Sequence, residues 1–327
     1  MNFIHSEKEI IEHFNHHIAT VPSSFISRIG GTDWELACDY FNDPTIIDND
    51  EWYLIALRKA REIQGYFDFS NNKANFKKYL DILVSTYNAA DLIMYAGKME
   101  KHVRFYLNGK TGGKFEPRFQ PFTWHIGRDK TLINWNGFIQ VVTPFLESFK
   151  SWGEGKKILI VSPLSKSIEY QYLRKDDLFL NYKYPNFELK TFNTQITYNN
   201  DADNTTSLNV STNNWHDECQ RLADGIKNID FDIALLSCAS YSMFLGDHIK
   251  NRLGKTAIYF GGSLNLYFNI YGKRFVPLYN QVGLNPNTLI DAFENSDIEK
   301  INGGRTYPGE CLDAYFGRKD DNKLGEK

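Results

Sequence analysis

The sequence predicts an α/β fold, with an open, mostly parallel, Rossmann-like sheet flanked by helices and additional helices at the N-terminus. Residues 157–161 form a near-continuous apolar run, which is the pattern of a strand buried on both faces of a parallel sheet, and three further strand-like runs follow it. Most of these runs are followed by a loop and a segment of helical length, as in repeated βα units. A chain of 327 residues is also long enough to bury a sizeable core.

Helical periodicity comes before the first of these units. Apolar residues recur at helical spacing in 5–14, 51–64 and 76–94. A short strand is predicted at 103–107 and a glycine-bearing loop at 108–113. A longer helix is predicted at 132–150, interrupted near Pro144.

The second half of the chain carries the clearer α/β alternation. Strands are predicted at 157–161, 187–192, 232–238 and 256–260, and helices at 168–180, 215–227 and 243–252. We therefore expect one α/β domain over 1–316, made of an N-terminal part (1–150) and a C-terminal part (151–316). The charged residues 317–327 are expected to form a flexible tail.

Composition narrows the classes of partner. A formal net charge of -3 gives no basic field of the kind that nucleic-acid binding needs, so nucleic acid is not an expected partner. The four cysteines form no Cys-x-x-Cys pair, which fits a reduced compartment. No stretch reaches the roughly 18 to 20 apolar residues of a transmembrane segment, and no signal peptide is visible. We expect a cytoplasmic protein and leave homo-oligomer formation open.

The segment 27–35 holds the most informative polar residues. Gly30 and Gly31 follow an apolar run and precede Asp33 and Glu35. Glycines allow close approach of the backbone to a ligand, and two carboxylates of this kind can hold Mn²⁺ or Mg²⁺ beside phosphate oxygens. The alternative is a capping box, with Thr32 as the N-cap of a helix and Glu35 three residues later.

Three loops are expected on one edge of the sheet, where parallel strands end. They cover 162–167, 238–241 and 261–263, and each lies between an apolar strand and a helix, so each could direct backbone N–H groups at an anion. None carries a complete dinucleotide-binding fingerprint or Walker motif. Taken singly, such loops are also what every βα unit needs as a turn.

Three blocks together resemble a known family. They read Arg-Ile-Gly-Gly-Thr-Asp-Trp-Glu at 28–35, an apolar strand with Ser-Pro at 157–163 followed by 168–174, and Gly-Lys-Thr-Ala-Ile-Tyr-Phe-Gly-Gly-Ser continuing to Lys-Arg at 254–274. The chain resembles the GT-D-type bacterial glycosyltransferases of surface-polysaccharide and glycoprotein synthesis, in scattered blocks from about residue 24 to 316. The resemblance implies a GT-D-like fold and transfer of a sugar from a nucleotide-sugar to a glycan or glycoconjugate acceptor.

The resemblance also implies roles for particular residues. Asp33 and Glu35 match the metal-associated Asp-x-Glu of the family and are candidate catalytic residues, although Gly31-Thr32 and Trp34 depart from its usual Arg-Phe-Gly-Asp-Gly-Glu. Nucleotide-sugar binding, with uridine diphosphate as the expected nucleotide, is assigned to Arg28, Gly30, Gly31, Ser162, Ser240, Gly261, Gly262, Ser263 and Arg274.

The chemistry of glycosyl transfer agrees with these residue types. The diphosphate leaving group must be neutralised as the anomeric bond breaks, which a carboxylate-held Mn²⁺ or Mg²⁺ can do. Arg28 could pair with a phosphate, and an acceptor hydroxyl needs a base. His248 is the candidate base, with surface placement as its alternative, and His125 is better explained by local packing.

Two other functions fit the same sequence. The altered segment at 28–35 also suits a nucleotide-sugar or glycan-binding subunit that works with a partner transferase. A different α/β transferase acting on a phosphorylated metabolite is the third possibility.

Overall fold

A computed structural model describes residues 2–4, 6–95, 130–134, 142–197, 210–279 and 282–294. The strands pair into one eight-stranded sheet in the order β1-β4-β3-β2-β8-β7-β5-β6, and every pairing is parallel. Strands from both predicted parts of the chain contribute to it. The predicted fold class, an open and mostly parallel α/β sheet flanked by helices, is confirmed.

The strands are three to six residues long. They are β1 (Asn2–Ile4), β2 (Phe25–Arg28), β3 (Leu92–Tyr95), β4 (Thr131–Asn134), β5 (Lys157–Ser162), β6 (Glu188–Asn193), β7 (Ile233–Leu236) and β8 (Thr256–Tyr259).

Nine α-helices are described between and after them. They are α1 (Glu7–Thr20), α2 (Gly31–Asn42), α3 (Asp50–Gln64), α4 (Lys73–Ala89), α5 (Val142–Trp152), α6 (Ser165–Tyr172), α7 (Trp215–Ile226), α8 (Tyr241–Leu253) and α9 (Leu264–Tyr267).

Alternation along the strands divides the interior into two cores. In β5, Leu159 and Val161 face one core, whereas Ile158 and Ile160 face the other. Helices α2, α3, α4, α7 and α8 cover the first core, and α1, α5, α6 and the segment after β8 cover the second. The inner strands of the sheet are thus buried on both faces, which explains why β5, β7 and β8 read as continuous apolar runs, whereas the edge strand β6 is partly exposed.

Three predicted helices extend too far: the one predicted at 168–180 ends at Tyr172, and two others run into strands. The helix predicted at 76–94 ends at Ala89, and β3 follows it; the helix predicted at 132–150 begins only at Val142, and its first residues belong to β4. These two errors have the same cause, because a strand of four residues in the same stretch as a helical pattern cannot be separated from it by periodicity. The features predicted at 103–107, 108–113 and 317–327 lie outside the described residues.

The helices of the described ranges were also compared with the length and hydropathy that a membrane span needs. None of them is both long and apolar enough to cross a bilayer.

A carboxylate organises the amino end of the sheet. Asp91, just before β3, accepts hydrogen bonds from the backbone N–H of Phe25 (2.8 Å) and the hydroxyl of Ser24 (3.2 Å). Lys250 of α8 donates to its other oxygen at 2.8 Å, and His17 of α1 lies 2.6 Å from the Ser24 hydroxyl. The Asp91 side chain therefore connects β2 to α8 directly and to α1 through Ser24.

We predict that Asp91→Ala lowers the free energy of unfolding by about 2 kcal/mol, because the N–H of fully buried Phe25 loses its acceptor. The matched control is Asp50→Ala. Asp50 also pairs with a lysine, Lys73, at 2.7 Å, but its side chain is 85% exposed, so little change is expected. Urea titrations of both variants measure the difference, and equal losses would contradict the prediction.

Candidate functional site

A crevice is expected where β2 and β8 end side by side. The chain leaves β2 into α2, which packs on the first core, and leaves β8 into α9, which packs on the second. Neighbouring parallel strands whose following segments diverge to opposite faces leave room for a ligand beyond their carboxyl ends. Arg28, the last residue of β2, lies at this point.

The Arg28 guanidinium is held between two residues of the β8 end. Its central carbon lies 4.9 Å from the centroid of the Tyr259 ring. Gly261 lies against it with a positive φ of 60°, and a Cβ there would fall 2.7 Å from the guanidinium carbon. A side chain at position 261 would therefore displace Arg28, so the glycine is required both for its backbone conformation and for this contact.

Asp33 lies at the same edge but is completely buried, in the first turn of α2. Its carboxylate folds back over Gly30, where a Cβ would fall 2.2 Å from Oδ1. Gln64 donates to Oδ1 at 2.8 Å, and among the described residues Oδ2 has no hydrogen-bond partner. Burial raises the pKa of Asp33 to about 6, against the opposing effects of Arg28 and a backbone hydrogen bond.

Gln64, which donates to Asp33, is held in turn by Ser240. The Ser240 hydroxyl donates to the backbone oxygen of Gln64 at 2.7 Å and accepts from the indole N–H of Trp215 at 2.9 Å. Ser240, predicted to bind the nucleotide, is fully buried and connects α3 to the loop after β7.

The Glu35 side chain does not point in the same direction as that of Asp33. Its carboxylate pairs with Lys59 of α3 at 2.7 Å and is 39% exposed. Residues two apart on a helix lie roughly 200° around its axis. The structure therefore does not bring Glu35 together with Asp33.

The capping-box alternative is wrong. Helix α2 has Gly30 at its N-cap, without a side-chain cap, and Thr32 is already its second residue. Glu35 instead pairs with Lys59. The glycine fits because the Asp33 carboxylate occupies the space that a side chain at position 30 would fill.

The predicted Mn²⁺ or Mg²⁺ site does not fit this arrangement. The two carboxylates face different directions, each bonded to α3, and each has a cation nearby in Arg28 or Lys59. Within the described ranges, no three His, Cys, Asp or Glu residues gather in a group that could hold a metal ion.

In the loop after β5, backbone N–H groups that could bind an anion are already hydrogen-bonded to a carboxylate of the same chain. Glu294 accepts from the backbone N–H of Lys166 at 2.9 Å and of Ser167 at 3.2 Å, as well as from the Ser167 hydroxyl. The N-terminal end of α6 thus already has a carboxylate. Ser162, predicted to bind the nucleotide, accepts from the N–H of Leu164 at 3.1 Å within the turn.

The remaining predicted residues are spread along the chain. Gly262 is half-buried and Ser263 buried, both in the turn after Gly261. His248 stacks on Phe244 about 10 Å along α8 from its first residue, so the structure does not bring it to Arg28. Burial of the His248 ring lowers its pKa, and the positive charge of Arg252 lowers that pKa further. The side chain of Arg274, and all of His125, lie outside the described residues.

Four residues of the site region were missed from the sequence: Tyr259, Gln64, Lys59 and Glu294. Tyr259 precedes the Gly-Gly pair and could have been included as its neighbour. The others are 24 to 128 residues from their partners, and no local pattern indicates them.

Comparison with known proteins gives one structural likeness. No protein-family model matches the sequence, and no curated protein does. One solved structure is similar at 14% sequence identity and a TM-score of 0.39, covering 80% of this chain and 78% of that chain; it is described with the words "The highly conserved domain of unknown function 1792 has a distinct glycosyltransferase fold".

We predict that Asp33→Asn makes the protein more stable at neutral pH. The folded carboxyl holds its proton up to about pH 6, compared with 3.8 for the ordinary group, so wild-type stability falls as pH rises between these values. The Asn variant has no such titration. Its free energy of unfolding should exceed that of the wild type by on the order of 2 kcal/mol at pH 7 and differ little from it near pH 4.

Asp68→Asn is the matched control, since Asp68 is also buried. Burial acts to raise its pKa, but hydrogen bonds from Ser70 and Asn75 hold that pKa below its ordinary value. This substitution should therefore destabilise at pH 7. Urea unfolding at both pH values measures the two effects, and effects of the same sign would refute the assignment for Asp33.

Proposed function

We propose that this protein is a glycosyltransferase that binds the diphosphate of a nucleotide-sugar, with a uridine diphosphate sugar as the expected donor, at the crevice between β2 and β8. The acceptor is a glycan or glycoconjugate. Arg28 is the residue that contacts the diphosphate.

The position of Arg28 carries this proposal. A guanidinium at the carboxyl edge of a parallel sheet can pair with two phosphate oxygens at once. Tyr259 and Gly261 lie against the guanidinium and restrict its movement, so less side-chain entropy remains to be lost on binding. The loop after β5, one of the three loops predicted to bind an anion, is filled by Glu294.

The chemistry follows from that charge. In the transfer, the acceptor oxygen forms a bond to the anomeric carbon, the bond from that carbon to the diphosphate breaks, and its electron pair leaves with the diphosphate. The hydroxyl proton passes to solvent. A fixed cation beside the departing phosphate stabilises the charge that develops there.

The sugar part of the proposal is supported by sequence resemblance. The blocks at 28–35 and 254–274 are those that resemble the GT-D-type glycosyltransferases, and they contain Arg28, Tyr259 and Gly261. Their side chains meet at the ends of β2 and β8.

A binding subunit without turnover is the second candidate. Asp33 and Glu35 are both bonded to α3, so neither carboxylate is directed into the crevice as a base. A donor-binding protein needs Arg28 but no such base.

The first experiment is turnover of a panel of nucleotide-sugars, with and without glycan acceptors, in EDTA and in Mn²⁺. We expect release of nucleoside diphosphate, detected by mass spectrometry, and about a 10- to 100-fold loss of kcat/KM in Arg28→Gln. The control is Arg174→Gln, which removes another guanidinium lying over a tyrosine ring, at 4.7 Å from Tyr170 on α6. Binding without release in all conditions would establish the second candidate.

A further prediction concerns Gly261. Gly261→Ala should weaken binding of uridine diphosphate about tenfold or more, because its methyl group displaces Arg28. Gly254→Ala is the matched control: its φ is 65°, but a Cβ there meets nothing within 4 Å. Both variants should lose about 1 kcal/mol of stability from backbone strain. Equal binding by the two variants, measured by calorimetry, would show that Arg28 does not bind the nucleotide.

A further inference from the structure

We infer that the phosphate charge is neutralised in this site by Arg28 without a divalent cation, an inference that rests on the proposed function. The ligand class is a nucleoside diphosphate bound directly by the guanidinium. The Asp-x-Glu carboxylates, which look like metal ligands in the sequence, serve instead to join α2 to α3.

Asp33 forms the first connection between these helices. Its Oδ1 accepts from Gln64, at the end of α3, and the backbone of Gln64 is held by Ser240. A metal ion at Oδ1 would have to displace the Gln64 amide, whereas Oδ2 has no hydrogen-bond partner among the described residues and is limited only by its burial. The Asp33 side chain is completely buried, so an ion reaching it would also have to lose its water shell.

Glu35 forms the second connection, through Lys59. One turn further along α2, Asp39 accepts from the indole N–H of Trp52 at 3.1 Å. Partners on α3 thus run backwards in sequence as α2 runs forwards, as expected for two antiparallel helices. Each carboxylate has a structural role in this pair.

The positive side chains near the two carboxylates also argue against a bound metal ion. Arg28 acts electrostatically on Asp33, and Lys59 is bonded to Glu35, so an added divalent ion would lie close to a positive side chain at either carboxylate. A diphosphate placed against Arg28 is attracted by the guanidinium, and Asp33 opposes this attraction only once its carboxyl has lost its proton. The guanidinium therefore supplies the positive charge that an ion would otherwise bring.

Two measurements on the full chain test this inference. In calorimetry with uridine diphosphate in excess EDTA, wild-type protein and Glu35→Gln should bind alike, to within about twofold, whereas Arg28→Gln binds about tenfold or more weakly. Arg28→Lys keeps the positive charge but lacks the planar guanidinium that can pair with two oxygens. Its affinity for uridine diphosphate should therefore lie between those of wild-type protein and Arg28→Gln. Thermal melts of each variant show that the fold is retained.

Mn²⁺ alone is the second probe. The electron paramagnetic resonance signal of free Mn²⁺ should be unchanged by equimolar protein. A loss of signal that Asp33→Asn or Glu35→Gln abolishes would overturn the inference. So would uridine diphosphate binding that requires Mn²⁺, and that result would leave the proposed function standing. No binding of uridine diphosphate in either condition would instead refute the proposed function itself.

Discussion

The fold depends on the pairing of β2 with β8. The strands β1, β4 and β3 lie on one side of this pair and β7, β5 and β6 on the other, so it joins two four-stranded halves into one sheet. The paired residues are fully buried, and α8 covers them closely: a Cβ on Gly246 would fall 2.0 Å from the Phe25 ring. A glycine inside a helix costs roughly 1 kcal/mol, and here it allows the helix to lie against the strand.

The candidate site exists because of this pairing. Arg28 and Tyr259 come from segments that are more than 200 residues apart, and only the parallel alignment of β2 and β8 brings their ends together. Asp33 is held in the same region although burial makes its ionised form unfavourable. A charged group retained at a cost in stability, beside a fixed cation, is typical of a site shaped for function.

The fold class and the strands β5 to β8 could be predicted from the sequence, whereas the strands β1 to β4 and most contacts of the site could not. Strands β5, β7 and β8 could be predicted because both of their faces are buried, which leaves a continuous apolar run, whereas β6 is partly exposed along its length. Strands β3 and β4 could not, because strands of only four residues near a helical pattern carry no distinct period. Arg28 and Gly261 were found from the blocks around them, whereas Gln64, Lys59 and Glu294 act through long-range contacts that leave no local pattern.

The Asp-x-Glu segment shows why spacing alone does not define a metal site. Two carboxylates separated by one residue can converge on an ion from a strand end or a loop, but on a helix they point about 200° apart. Helix α2 begins at Gly31, before both acids, so its geometry decides their directions. Once the helix includes them, each carboxylate reaches the partner nearest to it, and both partners lie on α3. In the proposed function, the charge that pairs with the diphosphate comes instead from Arg28, which lies just before the motif.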